Sequence, residues 1–345
     1  MLCGKPFKPN YDSRNRDLPH ALDEDGYIKR MSWCDLPSDV IMTKGLYKFV
    51  QTAISEQKRS KKNCETGLTK TGRTYVLVNK EIEAEIADDE WWAANQHMLL
   101  LERIGLAITS ILLLRPDTTV IATIRTPSTP TTTLTSLTVA GGSKLLIVPL
   151  DFSNPSSSAE KFSAFLDTLT KVHGISHINT IIANAGVGSS FLSSKDTPLS
   201  SLTEYYETNT LGPILLYQTL YSLLTAKIQD EGDEERKFVL ISSSLGSIGA
   251  MEGAVPSLAY GVSKAAANYF VRKVHFEEKG IVAIAVHPGW VKTSNGQAFA
   301  DSIGVEEPPM TVEESAKGVL EQIDNATKAT TSGSFLSYDG TDLPW

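Results

Sequence analysis

The stretch KFVLISSSLGSIGAMEGAVPSLAYGVSKAAANYFVRKVHFEEKGIVAIAVHPG, residues 237–289, holds two short β-branched runs, FVLIS (238–242) and VAIAV (282–286). Neither run alternates apolar with polar residues, which reads as a strand buried on both faces, as in a parallel sheet. Parallel neighbours need a crossover, and the helical stretch Leu258–Phe276 between them supplies it. Working outward, TYVLV (74–78), TVIAT (119–123), LLIVP (145–149) and TIIAN (180–184) repeat the strand texture. Ile104–Leu114, Ala159–Val172, Pro213–Ile228 and Thr311–Thr327 read as the helices between and after them. The alternation predicts an α/β fold, a doubly wound parallel sheet with right-handed crossovers. Ligands in such sheets sit beyond the carboxyl ends of the strands, so the residues that follow each strand are the candidates for chemistry. RTPSTPTTTLTSLT (125–138) reads as a surface loop with a weak helix.

At 345 residues, with 41% apolar and 21% charged, the chain has the composition of a soluble globular protein. A net charge of −8 argues against nucleic acid or an anionic membrane as partner. The greasiest stretch, Met98–Leu114, carries Glu102 and Arg103 and is too short and too charged to span a bilayer. Cys3, Cys34 and Cys64 are odd in number and fit no zinc spacing, which suits reduced thiols in the cytoplasm and no metal site. The N-terminus lacks the apolar run of a signal peptide. Residues 1–71 are polar, breaker-rich and without period, and are read as an extension of low order ahead of one domain at 72–345.

The serines Ser242, Ser243 and Ser244 end a strand, and Tyr260-Gly-Val-Ser-Lys264 lies on the helix that follows. A Tyr and a Lys four apart share a helix face, where the ammonium can lower the pKa of the phenol and ready it as a general acid. A serine hydroxyl nearby can hydrogen-bond a substrate oxygen as charge develops on it. Spacing alone does not single out this pair, because Tyr269 and Lys273 repeat it. At about 100° per residue the two tyrosines point in opposite directions, so only one can face the site. The Tyr260 face carries the small residues Ser263 and Ala267 and lies nearer the serines; Tyr269 and Lys273 read as an aromatic packed in the core and a solvated lysine.

Asn184-Ala185-Gly186-Val-Gly188 directly follows the fourth strand. Small residues there admit a flat ligand, although a plain turn would look the same. Asn209-Thr-Leu-Gly212 opens a long helix, with Asn209 a cap or a catalyst. His287-Pro288-Gly289-Trp-Val291-Lys-Thr293 is a rigid turn ending in a hydroxyl, with His287 a satisfied packing residue.

These motifs, in this order, resemble the short-chain dehydrogenase/reductase family over about residues 72–345. Within it, AYGVSKAAANYFVRKVHFEEK (259–279) and SGSFLSYDGTDLPW (332–345) are similar to fungal ketoreductases of the norsolorinic acid type. The resemblance implies a single Rossmann-like domain in a homodimer or homotetramer, reducing a carbonyl in fungal-type secondary metabolism. It implies Tyr260 as proton donor, Lys264 depressing the pKa of Tyr260 and holding the nicotinamide ribose, and Asn209 holding a water of the proton relay. The catalytic serine would be Ser243, second after the strand's last aliphatic, with Ser244 as the fallback. Asn184, Ala185 and Gly186 would line the adenine ribose and Asp151 the adenine, although Asp151 also reads as a loop or cap residue. Pro288 and Gly289 would shape the turn that brings Val291 and Thr293 to the carboxamide. Ile104 and Gly105 would begin the helix at the pyrophosphate.

Coenzyme choice is legible after the second strand. NAD sites place a carboxylate about 20 residues past the glycine turn. Here Thr123 holds that place and Arg125 follows, which favours NADP(H) and reduction unless Arg125 is merely a solvated charge. The Gly, Ala, Phe and Pro of Met251–Leu258 and Asn295–Met310 suit a pocket and lid for a small-molecule ketone of bulky, partly aromatic shape.

The pattern breaks at the phosphate turn. TYVLV is followed by the acidic 24-residue stretch NKEIEAEIADDEWWAANQHMLLLE (79–102), then Arg103-Ile-Gly105. Arg103 stands where the family's middle glycine belongs, and the first glycine is missing. The stretch reads as an atypical insertion, or the product of a retained intron. It predicts weak coenzyme binding, restored by a Thr-Gly-Ala-Asn-Arg-Gly turn in place of 79–103. Two rival readings follow: a catalytically dead relative acting as a binding or scaffold protein, and an NAD-dependent enzyme working in the oxidative direction.

Overall fold

The computed structural model describes residues 72–78, 104–152, 159–226 and 235–345. The N-terminal extension, the three cysteines, the stretch 79–102 and Arg103 lie outside the described residues. The strands are β1 (Thr74–Val78), β2 (Thr119–Ile124), β3 (Lys144–Pro149), β4 (Thr180–Ala183), β5 (Arg236–Ile241), β6 (Ile281–His287) and β7 (Phe335–Ser337). They form one sheet in the order β3-β2-β1-β4-β5-β6-β7, every neighbouring pair parallel. The chain runs outward from β1 to β3, then returns to β4 on the other side of β1. That reversal opens the crevice at which such sheets hold ligands.

Successive strand residues point to opposite faces, and both faces are buried. Val76, Ile121, Ile181, Phe238 and Ala283 belong to one core, while Tyr75, Val120, Ile182, Val239 and Ile284 belong to the other. The second core is covered by α1 (Ile104–Leu113) through Ile108 and Leu112, and by α8 (Val312–Asn325) through Val319 and Ile323. The first is covered by α3 (Ala159–Asp167), α5 (Gly212–Leu224) and α6 (Leu258–Glu277) through Phe165, Leu216 and Val271. A four-residue α2 (Thr132–Thr135) interrupts the Thr/Pro-rich connection.

Three features differ from the sequence reading. β7 is too short for its pattern to register, and it pairs Phe335 with Ala285 of β6. Asn209 does not open a helix. α4 (Leu199–Tyr206) continues through a π turn, Glu207–Leu211, directly into α5, so Asn209 sits inside one continuous helix. A further helix, α7 (Ser294–Ser302), starts at Thr293, whose hydroxyl accepts the Gly296 N–H at 3.1 Å. No helix of the described residues is long and apolar enough to cross a membrane.

Candidate active site

The candidate residues gather beyond the carboxyl ends of β4, β5 and β6. Parallel register sets this: Ile182 lies beside Val239, and Ile241 beside Val286, so Ser243 and Pro288 emerge at one level, with Asn184 leaving β4 two residues short of it, beside Ile241.

The three serines diverge. Ser242 Oγ is buried and donates to Asn268 Oδ1 at 2.6 Å, away from the site. The Ser243 hydroxyl accepts the Leu245 N–H at 3.3 Å and lies near enough to the Tyr260 phenol to lower its pKa. Ser244 begins the tight turn Ser244–Gly246, and its N–H donates to His287 Nδ1 at 3.1 Å. Of the three, Ser243 is the one whose hydroxyl meets the tyrosine.

Tyr260 stands on α6 with Phe191 and Tyr205 edge-on to its ring, at centroid distances of 5.5 and 6.4 Å. Its other flank is Gly188, where a Cβ would come within 2.9 Å of the ring. Burial pushes the phenol up to about 12, with the Ser243 hydrogen bond pulling it down and Tyr205 raising it further. The Lys264 ammonium is buried, donates to the Ile241 carbonyl at 2.9 Å, and lies 5.8 Å from the phenol ring centre. Desolvation brings its own pKa down to about 8, which leaves it largely protonated at neutral pH. Tyr269 is 72% exposed and Lys273 pairs with Glu277 at 2.6 Å, so the second Tyr-Lys pair faces solvent, and Tyr269 is not packed in the core.

Asn209 is fully buried and spends its amide on the scaffold. Its Oδ1 accepts the Val187 N–H at 2.8 Å, and its Nδ2 donates to the Val187 carbonyl and to Ser263 Oγ at 2.9 and 3.0 Å. Thr210 Oγ1 donates to the Ser263 carbonyl at 2.8 Å. The π turn thereby ties the loop after β4 to the helix that carries Tyr260. The side-chain amide of Asn209 is thus committed to protein partners.

The remaining candidates frame a crevice. Asn184, buried Ala185 and Gly186 leave β4, and a Cβ on Gly186 would meet Lys264 Nζ at 3.3 Å and Asn209 Oδ1 at 3.4 Å. Pro288 accepts from Ser315 Oγ of α8 at 2.7 Å, and Gly289 has φ +89°, a left-handed backbone suited to glycine. Val291 bridges to Met310, and Thr293 caps α7. Ile104 opens α1, and Gly105 is buried beneath Thr109. Arg125, at the end of β2, lies 3.6 Å from Asp151, which also pairs with Lys161 at 3.2 Å. The carboxylate missing after β2 therefore arrives from the end of β3. No cluster of three His, Cys, Asp or Glu placed to hold a metal occurs among the described residues.

A nicotinamide dinucleotide suits this frame. Gly186 keeps the floor of the crevice free of side chain above Lys264 and Asn209, and helix α1 points its N-terminus into the same edge of the sheet. The turn that would meet the pyrophosphate lies outside the described residues.

Sequence reasoning missed an aromatic row. Phe191 contacts Phe299 of α7 at 5.2 Å, and Phe299 contacts Trp290 at 5.2 Å, so the row leads from the Pro-Gly turn to Tyr260. Only the aromatic content of the lid segment hinted at it.

A family model described as short chain dehydrogenase matches residues 102–303. A norsolorinic acid ketoreductase of Aspergillus parasiticus is 39% identical over 245 residues, 70% of this chain and 87% of that one. A short chain dehydrogenase of Penicillium aethiopicum is 37% identical over 248 residues, 70% of this chain and 95% of that one. Among solved structures, an NADPH-bound carbonyl reductase from chicken fatty liver superposes with a TM-score of 0.61 at 27% identity, covering 80% of this chain and all of that one.

Proposed function

Because this chain belongs to the short chain dehydrogenase family, we propose that it is an oxidoreductase that reduces a ketone to an alcohol with NADPH, through a catalytic domain at 72–345. The relatives' names, ketoreductase and NADPH-bound carbonyl reductase, support the direction and the coenzyme. The observation that carries the reading is the gathering of Ser243 and Tyr260 beside the buried Lys264, whose Nζ lies 5.8 Å from the phenol ring centre.

NADPH would be held by Ile104 and Gly105, by Arg125 and Asp151, by Asn184, Ala185 and Gly186, and by Pro288, Gly289, Val291 and Thr293. When bound, it supplies the hydride. The chain's own residues do the rest. A phenol raised to about 12 is neutral at physiological pH and carries the proton the product alkoxide needs. Tyr260 Oη gives up that proton, while the Ser243 hydroxyl holds the substrate oxygen by a hydrogen bond that strengthens as charge grows there. Lys264 Nζ, anchored on the Ile241 carbonyl, bears on the phenolate that the transfer leaves. Asn209 keeps the β4 loop and α6 at fixed separation during the step.

The row Trp290–Phe299–Phe191 suits a bulky, partly aromatic ketone. Secondary metabolism of the fungal kind is the setting that the relatives' names favour. Val262, Tyr269 and Phe276 are exposed at seven-residue intervals on α6, a stripe that favours pairing with a second copy.

The test is NADPH absorbance with aromatic ketones, run on the full chain and on a form carrying a glycine turn in place of 79–103. Turnover by either form that is lost in Tyr260→Phe supports the reading. Silence from both forms would overturn it in favour of a binding protein.

A further inference from the structure

We infer that His287 is a positioning residue that holds the catalytic serine in place through the backbone of Ser244. The inference rests on the reading of Ser243 and Tyr260 given above. His287 is the last residue of β6 and touches neither Tyr260 nor Ser243 in a hydrogen bond of its own. What it offers is the lone pair of Nδ1, which accepts the Ser244 N–H at 3.1 Å. That N–H belongs to the first residue of the turn Ser244–Gly246, and Ser243 is the cap of the same turn. The backbone of Ser243 is therefore pinned on both sides. Before it, Ser242 N–H donates to the Val286 carbonyl at 2.8 Å; after it, Ser244 N–H donates to His287. Between two fixed peptides the Ser243 Cα–Cβ bond has its direction set, and the hydroxyl, held by the Leu245 N–H, stays near the Tyr260 phenol.

The backbone that carries the ring is itself fixed. The carbonyl of His287 accepts the Tyr338 N–H at 2.8 Å, and the turn that follows is tied to α8 by Ser315 Oγ on the Pro288 carbonyl. An imidazole can accept through Nδ1 only when that nitrogen carries no proton, so the function requires the neutral ring with its proton on Nε2. Burial favours that state and holds the ring down at about 4, against the opposing charge of Asp339. One histidine thus joins two parts of the site: the Pro-Gly turn proposed to meet the nicotinamide and the serine proposed to meet the substrate.

The experiment compares His287→Leu, which removes the acceptor, with His287→Asn, whose side-chain oxygen stands the same number of bonds from the backbone. Amide hydrogen exchange is read at Ser244 in the full chain without coenzyme, and kcat and the coenzyme KM are read where turnover is present. The expected result is Ser244 exchange faster by at least about tenfold in His287→Leu and close to that of the parent in His287→Asn. In the same variants kcat should fall about tenfold for Leu, with the coenzyme KM within about twofold, and recover in Asn. If His287→Leu does not fold, His287→Gln replaces it, since its acceptor stands one carbon farther out and should miss the same N–H. Unchanged Ser244 exchange in the acceptor-lacking variant, or equal loss of kcat in it and in His287→Asn, would overturn the inference. A parent chain without turnover would count against the proposed function instead, while the exchange result would still decide the role of His287.

Discussion

Replacing Gly188 by alanine would set a methyl carbon 2.9 Å from Cε2 and 3.1 Å from Cδ2 of Tyr260. Real methyl contacts to a ring begin near 3.4 Å, so the ring or the loop must give by about half an ångström. The ring has little room. Phe191 stands edge-on at 5.5 Å and Tyr205 at 6.4 Å, and the new methyl would also touch Phe191 Cζ at 3.4 Å. The loop is no freer, because Val187, the preceding residue, is held by both of its peptide groups on Asn209. Overpacking of this kind costs about 1–3 kcal/mol of stability. Its effect on turnover should be more specific. A misplacement of about 1 Å at a reacting group costs about 10²-fold, so half of that predicts a loss of about tenfold in kcat, or about 1.4 kcal/mol of barrier. The assay is steady-state reduction with NADPH, alongside the thermal midpoint of each variant. Gly280→Ala is the control, because a Cβ there meets nothing within 4 Å. Full kcat in a folded Gly188→Ala, or an equal loss in Gly280→Ala, would refute the reasoning that Tyr260 is held by contact on this flank.

Tyr260→Phe should lower turnover by about 10²–10⁴-fold with the fold intact, and Tyr269→Phe, on the solvent face, should leave it unchanged; steady-state kinetics on both variants checks this. Arg125→Ala should weaken NADPH binding by about 1.5–3 kcal/mol and leave NADH nearly untouched, read by calorimetry; equal losses would make the Arg125–Asp151 pair structural. The folded pKa of His287, about 4, lies below the ordinary 6.5, so the folded state favours the neutral ring. Its contribution to stability is full above pH 6.5 and is lost as pH falls from 6.5 toward 4, by about 3 kcal/mol. Urea titrations across that window should show this slope in the parent and its absence in His287→Asn.

Much of the sheet was legible because burial on both faces writes strands as unbroken β-branched runs, and six of the seven strands carry that mark. β7 does not, since three residues paired at an edge leave no pattern. The order of motifs located Ser243, Tyr260 and Lys264 beside one another, and rotation about α6 correctly sent Tyr269 to the far side. What the sequence hid is what depends on distance across the fold. Lys264 turns to the Ile241 carbonyl because burial makes an unpartnered ammonium costly, and no spacing rule foretells that choice. Asp151 reaches Arg125 from a different strand, and Phe191 meets Phe299 across more than a hundred residues of chain. Asn209 looked like a helix start because asparagine caps helices; a π turn has no sequence signature of its own to say otherwise.

The π turn at Glu207–Leu211 also says something about how such a site is inherited. A π turn is a regular helix carrying one residue more than its pitch allows. Deleting a single residue there would let α4 run into α5 without a break, and would swing whatever precedes the deletion by about 100° relative to whatever follows it. Asn209 would leave Val187 and Ser263 although every side chain of the site remained in the chain. The position of this amide is therefore stored in chain length rather than in residue identity. A scan that replaces residues one at a time would attribute it to Asn209 alone. Insertions and deletions, which loops absorb and helices usually reject, are here the changes to which the site is most exposed.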